Sequence, residues 1–307
     1  MRLAHALTAG ALAVALAGCD AANGSAAQSG SESAGRSALS APPSVTATPS
    51  PRPPAPDAPI PARPAELART LKATTAALYA AIDRWTESSQ EQAPEDVILY
   101  GLHHQRIYRA MARDAELADA TIRRLPKALA AEARDNVTAV SKLLSMARPI
   151  SAERRKRMRL ADPLPAERLR GYMERAEKRF GVEWEVLAAI MLVETKFGRV
   201  RSASSTGAQG PMQFMPGTWR AYGMGGNVHD ARDAILAAAN YLKATGAPKD
   251  YRRAVFAYNH DTRYVDAVLA HARQIKRDER SFYAYYTWQV FVLSTKGDVR
   301  LTGPGLA

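Results

Sequence analysis

The chain has a single cysteine, Cys19, so no intramolecular disulfide can close and no cysteine-based zinc cluster can form. It also lacks a long hydrophobic run. The apolar stretch from Leu3 to Leu16 falls short of the roughly 20 residues that a spanning helix needs, which excludes a multi-pass membrane protein. Acidic residues are fewer than basic ones, 30 against 42, leaving a formal charge of +12. Such an excess suits a polyanionic neighbour, whether nucleic acid, an anionic membrane or a wall polymer, and does not by itself choose among them. What is present is 47% hydrophobic and 23% charged residues over 307 positions, enough to bury a core in one large or two medium domains.

The N-terminus narrows the choice. Met1 and Arg2 precede the apolar stretch, which ends at Leu16-Ala17-Gly18-Cys19; a charged start and a short apolar core are the marks of a secretory signal. Leu-Ala-Gly-Cys resembles the lipobox of bacterial lipoproteins, which implies acylation of Cys19 and a mature chain beginning there. The bland alternative is a thiol buried in an apolar helix. Export removes nucleic acid as the natural partner of the positive charge and leaves retention on an anionic wall and membrane surface. Residues 19–64 are Ala/Gly/Ser-rich and then Pro-rich, with almost no large apolar side chains, and read as a disordered tether. About 45 such residues reach at most on the order of 150 Å.

Residues 65–150 read as a helical bundle module. Leu67, Leu71, Thr74, Leu78, Ile82 and Trp85 recur at steps of three and four, the inner stripe of a helix. A second helix starts at Pro94 with Val97, Ile98, Leu102, Tyr108 and Met111 inward, and a third follows Pro126 with Leu129, Ala133, Val137, Val140 and Leu144. The tandem His103-His104 reads as ordinary core or surface histidines, because adjacent helix residues diverge and no carboxylate cluster accompanies them. Arg154 to Arg157 with Arg159 reads first as a solvated helix face, with an anion-binding patch as the alternative.

Chemistry begins after Pro165, which opens a helix with Leu169, Tyr172, Met173, Ala176 and Phe180 inward and Gly181 closing it. The next helix, Val182 to about Phe197, carries Glu194 on the apolar face defined by Leu187, Ile190 and Met191. Burial and the negative end of the helix dipole both disfavour its ionised form, the condition a carboxylic general acid needs near neutral pH. A structural ion pair of Glu194 with Lys196, Arg199 or Arg201 is the competing reading.

Three ordered motifs decide between them. Glu194-Thr-Lys-Phe-Gly198, the stretch Ser204 to Trp219 containing Gly-Pro-Met-Gln-Phe-Met-Pro, and Ala257-Tyr-Asn-His260 with Tyr264-Val265 together resemble the catalytic domain of lytic murein transglycosylases with the goose-type lysozyme fold. The resemblance is closest to the membrane-bound B type and covers roughly residues 165–275. It implies that Glu194 is the general acid/base, that Ser204, Gln213 and Met215 line the groove around the cleaved bond, and that Tyr258 and Asn259 complete it, the tyrosine orienting the acid or the sugar. Thr195 stands where many relatives have serine. A further acid found in some relatives is unassigned here: His260 holds the corresponding position, and Glu279, four residues before Tyr283, is the substitute.

Ordinary glycosidases use two carboxylates, whereas one motif-supported acid implies an intramolecular route. In that route Glu194 protonates the bond between N-acetylmuramic acid and N-acetylglucosamine, and the 6-hydroxyl closes on C1 as a 1,6-anhydro ring, with no cofactor or metal. The implied partners are peptidoglycan glycan strands and, through the lipid anchor, a membrane. Hydrolysis by a muramidase with an aspartate activating water, and a non-catalytic wall-binding or scaffolding lipoprotein, are the alternatives.

The expected architecture is mainly α: the helical module, a lysozyme-like transglycosylase domain at 151–278, and a C-terminal β-hairpin and tail at 279–307. In that hairpin the alternating stretch Tyr283 to Leu293 forms one strand, Thr295 to Asp298 the turn and Val299 to Leu301 the return.

Overall fold

The computed structural model describes residues 52–306; the signal stretch, Cys19 and the tether as far as residue 51 lie outside them. The described residues form twelve helices and one two-stranded antiparallel hairpin, so the fold is mainly α. The stripe opening at Leu67 is the inner face of α1 (Pro64–Thr86), on which Leu67, Leu71, Leu78 and Ile82 are fully buried. Pro64 stands in its first turn, where the missing N–H has no intrahelical partner to lose. Next come α2 (Glu95–Met111), α3 (Ala115–Ile122) and α4 (Lys127–Met146). The short α3 was not foreseen. Its stripe is only Ala118 and Ile122, too brief for periodicity to register, although Asp114 caps it by accepting from the Leu117 N–H.

The second half runs α5 (Ala152–Lys156), α6 (Ala166–Phe180), α7 (Trp184–Thr195), α8 (Pro216–Tyr222), α9 (Ala231–Thr245), α10 (Tyr251–Tyr258), α11 (Thr262–Arg277) and α12 (Arg280–Tyr286), then β1 (Phe291–Ser294) and β2 (Gly297–Arg300). The expected strand from Tyr283 is therefore wrong at its start, since Tyr283 to Tyr286 are helical and pairing begins at Phe291 opposite Arg300. Ser281 to Tyr286 are buried on every side. An element without a solvent face has no polar alternation to reveal its period, and aromatic residues alone argue for strand.

The boundary drawn at residue 150 is not a boundary in the core. One contiguous apolar cluster runs from Leu67 and Tyr108 through Phe197 and Met212 to Val268. α12 is wedged into it: Tyr283 meets Trp85 edge-on at 5.6 Å, and Phe282 meets Phe197 at 5.5 Å. α4 lies along α11 over the small residues Ala139, Ala267 and Ala270, all fully buried. At the rim of that contact Asp135 accepts from Arg273 at 2.6 Å and Arg277 at 2.8 Å. The end of the expected tether is also corrected. Arg106 donates to the carbonyls of Pro56, Asp57 and Ala58, and Ile60 packs on the core, so these residues are laid on the folded body. Backbone carbonyls need no apolar side chain to dock, which is why composition alone assigned them to the tether.

Gly101 marks the closest approach of α2 to the α12 segment, because a Cβ there would lie 1.9 Å from Thr287 Oγ1. Gly101→Ala is expected to cost about 1–3 kcal/mol through overpacking, read as a lower denaturant midpoint with an unchanged m-value.

Candidate active site

α7 is buried from Val186 to Leu192 and carries Glu194 in its last turn. Three successive residues in the left-handed region, Lys196 (φ 52°), Phe197 (φ 58°) and Gly198 (φ 84°), then turn the chain sharply away. The turn is held by the Lys196 N–H on Leu192 O and the Phe197 N–H on Met191 O. Thr195 clamps it to the next motif: its hydroxyl donates to the Pro211 carbonyl at 2.6 Å and accepts from the Gly198 N–H at 2.9 Å. Serine can make the same two bonds, so the departure at this position is chemically mild. Thr195→Ala is expected to lose about 1–3 kcal/mol of stability, since two buried partners are stranded, and Thr195→Ser is expected to restore most of it in thermal denaturation.

The second motif is a tight loop closed by reciprocal backbone bonds between Gln209 and Phe214. Gly210, at φ 73°, packs so close to the Val228 carbonyl that a Cβ would sit 1.8 Å from its oxygen. Gln213 at the tip is also left-handed (φ 51°), and its Nε2 donates to Gly210 O at 2.9 Å, leaving the amide oxygen as an acceptor. Lys196, Phe197 and Gln213 are three of the four non-glycine residues with positive φ among the described residues; Lys196 and Gln213 line the same cleft as Glu194, and Phe197 follows Lys196 in the turn. Backbone strain of this kind gathers where the surrounding packing holds functional side chains in fixed positions.

Glu194 opens onto a cleft of about 340 Å³. One wall is α4 and its exit, with Leu143, Leu144 and Met146; a second is the hairpin residues Phe291 to Leu293; the third carries Glu194, Gln213, Asn259 and Tyr264. The hairpin is fastened in place by the Ile150 N–H on Leu293 O and by Arg109 and Arg113 on Asp298. Residues 65–150 thus build part of the cleft wall, a role the sequence left unread.

The Glu194 carboxyl is pushed up to about 7 by burial, against the opposing pull of a hydrogen bond from Tyr264 and the charge of Lys196. Tyr264 Oη donates to Glu194 Oε1 at 2.6 Å. None of the three cations considered from the sequence forms an ion pair with Glu194. Lys196 gives its ammonium to Leu192 O, Arg199 donates to Lys196 O, and Arg201 donates to Asp162 O. Burial lowers the Lys196 ammonium to about 8, with Arg109 nearby adding to the effect.

Of the expected groove residues, Gln213 and Asn259 line this cleft; Ser204, Met215 and Tyr258 do not. Ser204 closes its own loop, its Oγ accepting from the N–H groups of Thr206 and Ala208. Met215 is the residue before α8. Tyr258 donates to the Met212 carbonyl at 2.6 Å and is packed against Phe214 and Tyr241. Its hydroxyl is therefore spent on the backbone of the second motif, and the tyrosine that holds the Glu194 carboxyl is Tyr264. Tyr264 falls on the same helical stripe as Val265 and Val268; it stands within the third motif as read from the sequence, with no role of its own assigned there. Glu279 pairs with Arg170 and does not line the cleft. Asp261 does line it, capping α11 and accepting from Arg263 Nε and Nη2, which holds its carboxyl below the usual range. His103 and His104 are buried in α2, and His104 faces Glu132 at 3.4 Å. No group of three or more metal-ligating side chains occurs among the described residues, and no described helix is long and apolar enough to cross a membrane.

Comparisons with curated proteins and with solved structures gave no match. Residues 171–280, about a third of the chain, match the family model described as the Transglycosylase SLT domain, so the part that carries Glu194, Gln213 and Tyr264 is similar to lytic transglycosylase-type domains.

Proposed function

We propose that the chain is a peptidoglycan lytic transglycosylase that cleaves the β-1,4 bond between N-acetylmuramic acid and N-acetylglucosamine without consuming water. The observation that carries this reading is a carboxyl with its proton affinity raised to about 7, set in a cleft and held by one tyrosine. Glu194 gives its proton to the glycosidic oxygen as the bond to C1 breaks. The positive charge developing at C1 is shared with the ring oxygen and stabilised by the sugar's own N-acetyl group, with the Gln213 amide oxygen accepting from a sugar N–H or hydroxyl. Glu194, now a carboxylate, takes the proton of the 6-hydroxyl, whose oxygen closes on C1. Acid and base are the same residue at two stages, so the cycle returns Glu194 to its starting form.

Asp261, which flanks the third motif, is the other carboxylate lining the cleft among the described residues, and its grip by Arg263 weakens it as a base for water. That favours the intramolecular route over hydrolysis. Export and acylation at Cys19 complete the proposal: a lipid anchor on the outer face of a bacterial membrane, with a Pro-rich spacer carrying the cleft into the wall. Muropeptide analysis of walls digested with the full chain, wild type beside Glu194→Gln, tests it. Anhydro ends from the wild type alone are expected. Reducing ends only would replace the lyase with a hydrolase, and equal background from both would leave a wall-binding protein.

A further inference from the structure

A second cavity of about 290 Å³ lies behind the Gln213 loop, lined by Arg159, Val200, Arg201, Gly210, Pro211 and His229. Val200 also lines the cleft that holds Glu194, so the two spaces share that residue as a wall. Arg159 and Arg201 are placed by a short antiparallel pairing: Leu160 is bridged to Val200, the Arg201 N–H donates to Arg159 O, and the Ala161 N–H donates to Arg199 O. In that register Arg159 stands directly opposite Arg201, and residues directly opposite project from the same face. Like charges in this arrangement repel. Arg159 Nη2 donates to Arg201 O and Arg201 Nη2 to Asp162 O, both at 3.3 Å, and neither guanidinium has a carboxylate partner within ion-pair distance among the described residues. Arg155, Lys156 and Arg157 precede the pair in the chain, against Glu153 and Asp162 as the acids of the segment. The pairing is rigidly anchored as well, since Ser202 Oγ accepts from the Arg159 N–H at 2.9 Å.

We propose that Arg159 and Arg201, with His229 across the cavity, form an anion subsite that takes a carboxylate of the stem peptide on the glycan strand bound in the adjoining cleft. The inference rests on the peptidoglycan reading above. A planar, fork-shaped guanidinium matches a carboxylate with two parallel hydrogen bonds. The sugar backbone has no charge for the two cations to meet, whereas the peptide branches carry free carboxylates. A branch from a strand seated beside Gln213 would reach the cavity past Val200, the residue the two linings share.

The test uses the full chain carrying Glu194→Gln, to prevent turnover, and compares it with the same chain also carrying Arg159→Gln and Arg201→Gln. Both side chains are exposed and their carbonyl contacts are long, so the fold is expected to be retained, which circular dichroism checks. Three probes are titrated: a tetrasaccharide bearing tetrapeptide stems, the same probe with its stem carboxylates amidated, and the uncharged N-acetylglucosamine hexamer. The double substitution is expected to weaken the first probe about tenfold, the loss of one charge-assisted contact, down to the level of the amidated one, and to leave the hexamer unchanged. Equal loss for all three probes, or no loss for the first, overturns the subsite. Tighter arginine-dependent binding of a glycerol-phosphate polymer than of the peptide probe overturns the carboxylate assignment in favour of phosphate. The two readings fail separately: an inactive wild type that still shows arginine-dependent binding of the peptide probe removes the lyase and keeps the subsite.

Discussion

Glu194→Gln is expected to lower wall cleavage by about 10²–10⁴-fold, the usual contribution of a positioned general acid, while making the protein more stable at alkaline pH. The two effects have one cause. The folded carboxyl binds its proton with an affinity near 7, above its ordinary value of 4.5, because burial penalises the charged form. From about 4.5 to 7 the unfolded chain releases that proton and the folded chain keeps it, so folding stability falls as pH rises through this window. The gap corresponds to as much as about 3 kcal/mol at pH 8, less whatever solvent reaching the cleft recovers. Glutamine has the same shape, carries no charge and can still accept from Tyr264, so it escapes that cost. Chemical denaturation of both proteins at pH 5 and pH 8 should find near-equal stability at the lower pH and the variant ahead at the higher. A variant less stable at pH 8 would mean that Glu194 is held as a structural anion. For the wild type, cleavage should decline above about pH 7, as the acid form of Glu194 is lost.

Glu194, the acid of the proposed reaction, stood out in the sequence because two independent features coincide at one position: an acidic residue on an apolar helical stripe, and an ordered set of motifs downstream. Helix periods were readable on long helices with one solvent face, such as α1, where every member of the stripe is buried. They failed on α12, which has no solvent face, and on α3, which is two turns long. The site was only partly readable for a different reason. A motif names residue types, and a tyrosine can be spent in several ways; Tyr258 and Tyr264 are six residues apart, both buried, and only the three-dimensional path of the α10–α11 turn decides which hydroxyl meets Glu194. Walls supplied by α4 and by the hairpin come from segments far from the motifs in sequence, and no local pattern records that they converge.

Tyr264→Phe gives the sharpest separation between these two tyrosines. The Tyr264 hydroxyl donates to Glu194 and thereby favours the ionised carboxyl, opposing burial. Removing it should carry the Glu194 carboxyl above about 7, so the decline of activity at alkaline pH moves to higher pH. Maximal turnover should fall by about 10–100-fold, because the carboxyl loses the partner that aims it and small misplacements of a reacting group are costly. KM should change little, since the hydroxyl is committed to Glu194 and not to sugar. Tyr258→Phe has the opposite signature. It strands the buried Met212 carbonyl, at a stability cost of about 1–3 kcal/mol, and leaves the alkaline decline near pH 7. Should the decline move with Tyr258→Phe and stay fixed with Tyr264→Phe, the hydrogen bond at 2.6 Å between Tyr264 and Glu194 would not be the one that governs the acid. A common shift in both would instead place the two hydroxyls in a single network around it, in line with the proton of each tyrosine being held more tightly by burial first and by the charge of Glu194 second.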